Sequence, residues 1–200
     1  TIYQKIGDRH GEGICLGSLG PAYAEIGKVT QAIDSFEQAL KIARETGDRR
    51  SEGVDLGNLG NIHRIQGQVE QSVAYFHQAL AIAQETCDRR NEVTVLINLG
   101  NAYRDFGQIT EAIHYYKLAL DITRQIDLRQ GEGACLANLA FTYVSQYKFP
   151  QAARLADSAL VILTETKSPT REMVEQLLAL LREIMGDAAF NAALAQPPDP

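Results

Sequence analysis

The sequence has no tryptophan, only two methionines and three cysteines, and no surplus of positive charge. Each shortage removes a class of function. Cys15, Cys87 and Cys135 are odd in number and lack metal-ligand spacing, so neither a disulfide framework nor a zinc site can be read from them. A reducing cytosol is the compartment such cysteine usage implies, and a cytoplasmic location is expected. No apolar run approaches the roughly 20 residues that cross a bilayer. Nor does the chain open on a basic stretch followed by an apolar one, so neither signal peptide nor membrane association is expected. Lysine and arginine total 19 against 25 aspartates and glutamates, a formal charge of -6. A nucleic-acid groove needs a basic stripe to replace counterions around phosphates, so nucleic acid is not an expected partner. With 45% hydrophobic residues the chain can nonetheless bury a core.

Catalytic equipment is missing too. His10, His63, His77 and His114 fall in different contexts, and neither HExxH nor CxxC occurs. A nucleophile needs a base within reach and a third group to orient it, and no such set is visible. No glycine-rich phosphate loop follows a strand, because no strand is predicted. The chain is expected to be no enzyme and to carry no cofactor or metal.

What is present is a repeat. Leu19-Gly20, Leu59-Gly60, Leu99-Gly100 and Leu139-Ala140 recur every 40 residues. The same step joins Leu16, Leu56, Leu96 and Leu136, and likewise Tyr23, His63, Tyr103 and Tyr143. Ala39, Ala79, Ala119 and Ala159 keep it too, each followed by a leucine. A fixed period of this length marks stacked supersecondary units. Each period reads as two helices. Gly47 suits a left-handed helix end and Asp48 a cap on the next helix. Leu56, Leu59, Ile62 and His63 share a helical face, Gly67 ends that helix, and Val73, Phe76, Leu80 and Ala83 mark a second. Short turns make the two antiparallel. Gly20, Gly60, Gly100 and Ala140 are expected opposite Ala32, Ser72, Ala112 and Ala152, where small residues let helices approach. Gly53 and Gly57 are read as close-packing positions as well.

These residues resemble a known family. Leu-Gly-x-x-Tyr followed by Gly, Ala, Phe and Ala is similar to the tetratricopeptide repeat (TPR) consensus. The 40-residue form, with Gly-Asp-Arg-x-x-Glu-Gly before the first helix and Leu59-Gly60-Asn61 and Leu99-Gly100-Asn101 within it, resembles the Leu-Gly-Asn (LGN/Pins-like) class. Similar arrays form the arms of bacterial STAND-type signalling ATPases. The resemblance implies an all-α fold, a right-handed solenoid of antiparallel hairpins closed by a C-terminal capping helix. It divides the chain into the end of a preceding second helix (1–7), repeats at 8–47, 48–87, 88–127 and 128–167, capping helices at 168–195 and a disordered tail at 196–200. Residues 1–8 align with Lys41–Asp48, so the full protein is expected to continue N-terminally, or this copy to be a designed or excised piece. The cap is placed at Thr170–Met185, where Val174, Leu177, Leu178, Leu181 and Met185 form a stripe that covers the last repeat. Leu181–Ala195 also looks like the ends of the ATPase arms.

The pattern has departures. Pro21 stands in a first helix where Asn61 and Asn101 stand and is expected to kink it by Gly17. Ala156 replaces the aromatic of Phe36, Phe76 and Tyr116.

In such arrays the first helices line the concave face. Ser18, Asn58, Asn98 and Asn138, then Asn61 and Asn101, then Arg64 and Arg104 lie just off the packing stripe. Asparagine is a poor mid-helix residue because its amide competes with the backbone. An amide that both donates and accepts can hold the backbone of an extended peptide, and the arginines can fork to carboxylates. An asparagine ladder between repeats is the alternative. Asn58, Asn61, Arg64, Asn98, Asn101, Arg104 and Asn138 are thus the candidate peptide-binding groove. Gly57, Ile97 and Ala137 stand where a C-terminal carboxylate clamp carries a basic residue, so an internal acidic segment is the expected ligand. The expected role is a protein-interaction scaffold with a protein or peptide partner. A regulatory arm of a larger signalling ATPase and end-to-end self-association through an uncovered N-terminal face at Ile2 and Ile6 are the alternatives. The Asp48-Arg49-Arg50 and Asp88-Arg89-Arg90 turns are read as caps with solvent-facing arginines.

Overall fold

In a computed structural model, residues 3 and 6–196 are described. The expected end of a preceding helix at 1–7, Ile2 of the proposed self-association face, and the tail at 196–200 fall wholly or partly outside them. The fold is all-α. Among the described residues its helices include α1 (Arg9–Glu25), α2 (Val29–Thr46), α3 (Arg49–Ile65), α4 (Val69–Glu85), α5 (Arg89–Asp105), α6 (Ile109–Gln125), α7 (Arg129–Ser145), α8 (Phe149–Glu165), α9 (Arg171–Met185) and α10 (Asp187–Leu194). They pack as consecutive hairpins of the kind that build a helical-repeat solenoid. The chain forms two compact units, one ending at Ala102 and the other beginning at Tyr103.

Turn chemistry sets this punctuation. A left-handed residue stands every 20 positions: Gly7, Gly27, Gly47, Gly67, Cys87, Gly107, Asp127, Tyr147 and Lys167. From Gly27 to Tyr147 each stands between two helices and the next begins two residues on, whereas after Lys167 the next begins at Arg171. Glycine takes this conformation freely, whereas the other four take it at a steric cost. Asp48 and Asp88 then cap α3 and α5, their Oδ1 atoms accepting from the amides of Ser51 (3.0 Å) and Asn91 (3.1 Å).

In the first unit, α1 pairs with α2 and α3 with α4. The crossings depend on missing side chains. A methyl added at Gly20 would lie 2.4 Å from the Phe36 ring, and one at Gly60 would lie 2.8 Å from the Phe76 ring. Ser72 joins the second crossing, its Oγ donating to the Gly60 carbonyl at 2.9 Å. Gly53 is likewise close-packed, against Ile82. Gly57 is not: nothing lies within 4 Å of the place its Cβ would take, so close approach does not explain that glycine. Helix α1 runs through Pro21 without a break.

In the second unit, α7 packs against both α6 and α8, and α9 and α10 both lie on α8. Val174, Leu177 and Leu181 bury the inner face of α9, and Phe190 and Ala193 that of α10.

Candidate functional site

Burial along α3 sorts its residues. Leu56, Leu59, Gly60 and Ile62 are buried, while Asn58, Asn61 and Arg64 are half-buried beside them. Steps of three keep such residues neighbours on one flank of a helix. On α5, Asn98 and Asn101 hold the same flank. No hydrogen bond among the described residues engages the amides of Asn58, Asn61 or Asn98, and Ser18 spends its hydroxyl on the Ile14 carbonyl. In the second unit, half-buried Arg104 donates from Nη1 to Asn138 Oδ1 at 3.4 Å, and its Nη2 lies 3.6 Å from Asp105. The structure thus brings Arg104 and Asn138 together and leaves three amides of the first unit open to a ligand or to water.

The residues behind this flank are held by rings. His63 stacks on Tyr75 with centroids 5.2 Å apart and planes 9° from parallel, and its Nδ1 meets Gln68 Oε1. Tyr103 stacks on Tyr115 in the same way, at 5.2 Å and 2°. His63 is therefore a packing residue where the repeat elsewhere uses tyrosine.

The Asp-Arg-Arg turns cap their helices, and their first arginines, though partly exposed, also form ion pairs that the sequence reading did not include. Arg49 pairs with Glu52 on its own helix and with Glu85 on α4. Arg9 does the same with Glu12 and Glu45, both at 2.6 Å, and Arg129 with Glu132 at 2.7 Å and Glu165 at 3.1 Å. Arg89 meets Glu92 at 2.6 Å. Arg44 and Arg124 add a second cation to Glu52 and Glu132, at 2.9 and 3.2 Å. The hydrogen bond from Arg49 holds the Glu85 carboxyl below its ordinary range. Arg50 does remain largely exposed, 3.5 Å from Asp88. The Gly-Asp-Arg-x-x-Glu-Gly signature is thus a structural clamp as well as a helix start.

Sequence reasoning missed Asp55. It occupies the column of Cys15, Val95 and Cys135, yet it is only 4% exposed. Burial, with the nearby Asp48 charge adding to it, pushes its carboxyl up to about 7. A carboxylate in an otherwise apolar column was the available signal.

Among the described residues no helix is long and apolar enough to cross a membrane, and no cluster of three or more His, Cys, Asp or Glu could hold a metal.

Family models described as tetratricopeptide repeat match residues 15–50, 55–125 and 133–166. The chain belongs to the tetratricopeptide repeat proteins. None of the models that match this TPR protein describes a catalytic family. Comparison with curated proteins returns no match. Among solved structures, the apo form of RapI superposes with a TM-score of 0.79 at 16% identity, over 92% of this chain and 67% of that one. A Rap protein complexed with competence and sporulation factor gives 0.74 at 17%, over 92% and 51%. A signal transduction ATPase with numerous domains from Pyrococcus horikoshii, a protein with a tetratricopeptide repeat sensor, gives 0.78 at 21%. That match takes in 98% of the TPR chain and 31% of the ATPase chain. At these identities the likeness is one of fold.

Proposed function

We propose that this TPR protein is a protein-interaction scaffold whose first helices hold an extended, acidic segment of a partner. The open, half-buried amides of Asn58, Asn61 and Asn98 carry the reading. They sit mid-helix, where asparagine is otherwise disfavoured, and no hydrogen bond among the described residues uses them. In the first unit Asn58, Asn61, Asn98 and Asn101 would hold backbone amides of the segment while Arg64 meets its carboxylates. In the second unit Arg104, already oriented by Asn138, offers the same fork. The complex of a Rap protein with a factor shows one relative of this fold engaged with a partner.

Display selection of random peptides on the intact protein tests this. Peptides rich in Asp and Glu should be enriched, and the Arg64→Glu, Arg104→Glu variant should lose them while keeping its helical circular dichroism. Equal recovery by both proteins would sink the assignment.

A second reading, a regulatory arm of a signalling ATPase, draws on the likeness to the P. horikoshii ATPase and on the Leu181–Ala195 segment. An upstream reading frame that encodes a nucleotide-binding domain would support it, and one without such a domain would remove it.

A further inference from the structure

The packing of α1 against α3 leaves a cleft of about 280 Å³, and its construction is unusual for this repeat. Gly13, Ile14, Gly17 and Ser18 form one wall, and Arg50, Ser51, Val54 and Asp55 form the other. Gly17 leaves room in it beside Asp55. A methyl at Gly17 would stand 3.2 Å from Asp55 Oδ1, so the missing side chain leaves the space next to the carboxylate unfilled. Ile14 and Val54 are both exposed and apolar. Asp55 itself is buried, and no hydrogen bond or ion pair among the described residues engages it. An unpaired carboxylate in such a place costs folding energy that valine, its counterpart at position 95, would not. Destabilised groups of this kind gather at binding sites.

Its charged surroundings do not relieve it. Asp48, at the N-cap of α3, is a like charge. His10 on α1 lies 3.4 Å from Asp48, and the Arg50 guanidinium lies 3.5 Å from Asp88.

We propose that this cleft binds an alkylammonium cation, its charge on the Asp55 carboxylate and its alkyl chain between Ile14 and Val54. A lysine side chain of a partner and a free aliphatic amine share this chemistry. The site stands independently of the asparagine patches, since Asp55 acts on a cation and they act on a peptide backbone and its carboxylates.

The test is a titration of the whole chain with n-butylammonium chloride, followed by the carboxyl carbon resonance of Asp55, against sodium chloride at equal ionic strength. Saturable binding with a Kd on the order of millimolar is expected at pH 8. Because the carboxyl is pushed up to about 7, affinity should fall about tenfold at pH 6, where most of it is protonated. His10→Gln should keep that pH dependence. Asp55→Asn and Asp55→Val should abolish calorimetric binding, and Gly17→Ala, which narrows the approach without touching the charge, should weaken it at least about tenfold. A host peptide with one lysine separates the sources. Binding as tight as butylammonium or tighter assigns the site to a partner's lysine, and binding of the free amine alone assigns it to a small amine. No saturable shift up to ~50 mM, a shift reproduced by sodium chloride, or equal binding by the Asp55→Asn variant would each overturn the proposal.

Discussion

The α3–α4 hairpin of the first unit and the α7–α8 hairpin of the second hold the same register and solve the same packing problem differently. In α3–α4 the helices cross where Gly60 lies under the Phe76 ring. In α7–α8 the two places are Ala140 and Ala156, both fully buried. Position 55 is an aspartate in one hairpin and position 135 a cysteine in the other, and burial pushes both upward, to about 7 and about 12. Turns differ as well: Gly47 and Gly67 are replaced by Asp127 and Tyr147 in the same left-handed conformation. The repeat therefore fixes backbone geometry at each place, while side-chain volume and chemistry vary between hairpins.

The crossing gives the largest effect. Phe76→Ala alone should lower unfolding free energy by about 3–5 kcal/mol, the cost of a large cavity. Gly60→Ala alone forces a methyl into the ring and should cost about 1–3 kcal/mol. The double variant rebuilds the α7–α8 arrangement, so it should cost clearly less than the sum in a urea-unfolding cycle. Strict additivity would mean that the two crossings are not alternatives.

Asp55→Val should come next, and with opposite sign. A carboxyl whose folded value is raised binds protons more readily in the fold, so its ionisation destabilises the protein as pH rises through about 7. Replacing it should stabilise by on the order of 2 kcal/mol at pH 8 and by less at pH 5, read from denaturation curves at the two pH values. A pH-independent difference would break the contrast with Cys135.

The hairpins and their 40-residue register were legible because leucines, glycines and alanines recur at fixed steps and apolar periodicity reports packing directly. The rings of Phe36 and Phe76 that fill the space at Gly20 and Gly60 were not foreseen. Gly57 was misread because a sequence records that a side chain is missing and not what faces the gap. The ion pair of Arg49 was not foreseen because its partner Glu85 lies 36 residues on, across a hairpin. Asp55 was overlooked for a related reason: its strangeness appears only when the column of Cys15, Val95 and Cys135 is compared place by place. The asparagine patches were visible in sequence as residues poorly suited to a helix, whereas the bond from Arg104 to Asn138 depends on side-chain reach.

The turns offer a smaller effect. Tyr147 is exposed and left-handed where the first unit uses Gly67. Tyr147→Gly should raise stability by about 1 kcal/mol, because the steric cost of the left-handed backbone disappears. Gly67→Ala should lose a similar amount. Thermal unfolding of the two variants gives the check, and shifts of the same sign would refute the turn comparison.

The caps sharpen the contrast at the lowest energies. Asp48 accepts from the Ser51 amide and hydroxyl, whereas Leu128, at the same place before α7, makes no side-chain cap bond. Those bonds, the backbone one foremost, hold the Asp48 carboxyl below its ordinary value of 3.8. A depressed folded value means stability that is present above the unfolded value and lost as pH falls through the folded one. Asp48→Ala should therefore cost about 0.5–1 kcal/mol at pH 7 and progressively less below pH ~4. Leu128→Ala should show no such acid dependence, since no carboxylate caps α7. Hydrogen exchange at the Ser51 amide, followed between pH 7 and pH ~4, localises the effect to the first turn of α3. Unchanged protection there in the Asp48→Ala variant would mean that the turn geometry set by Gly47, and not the carboxylate, starts the helix.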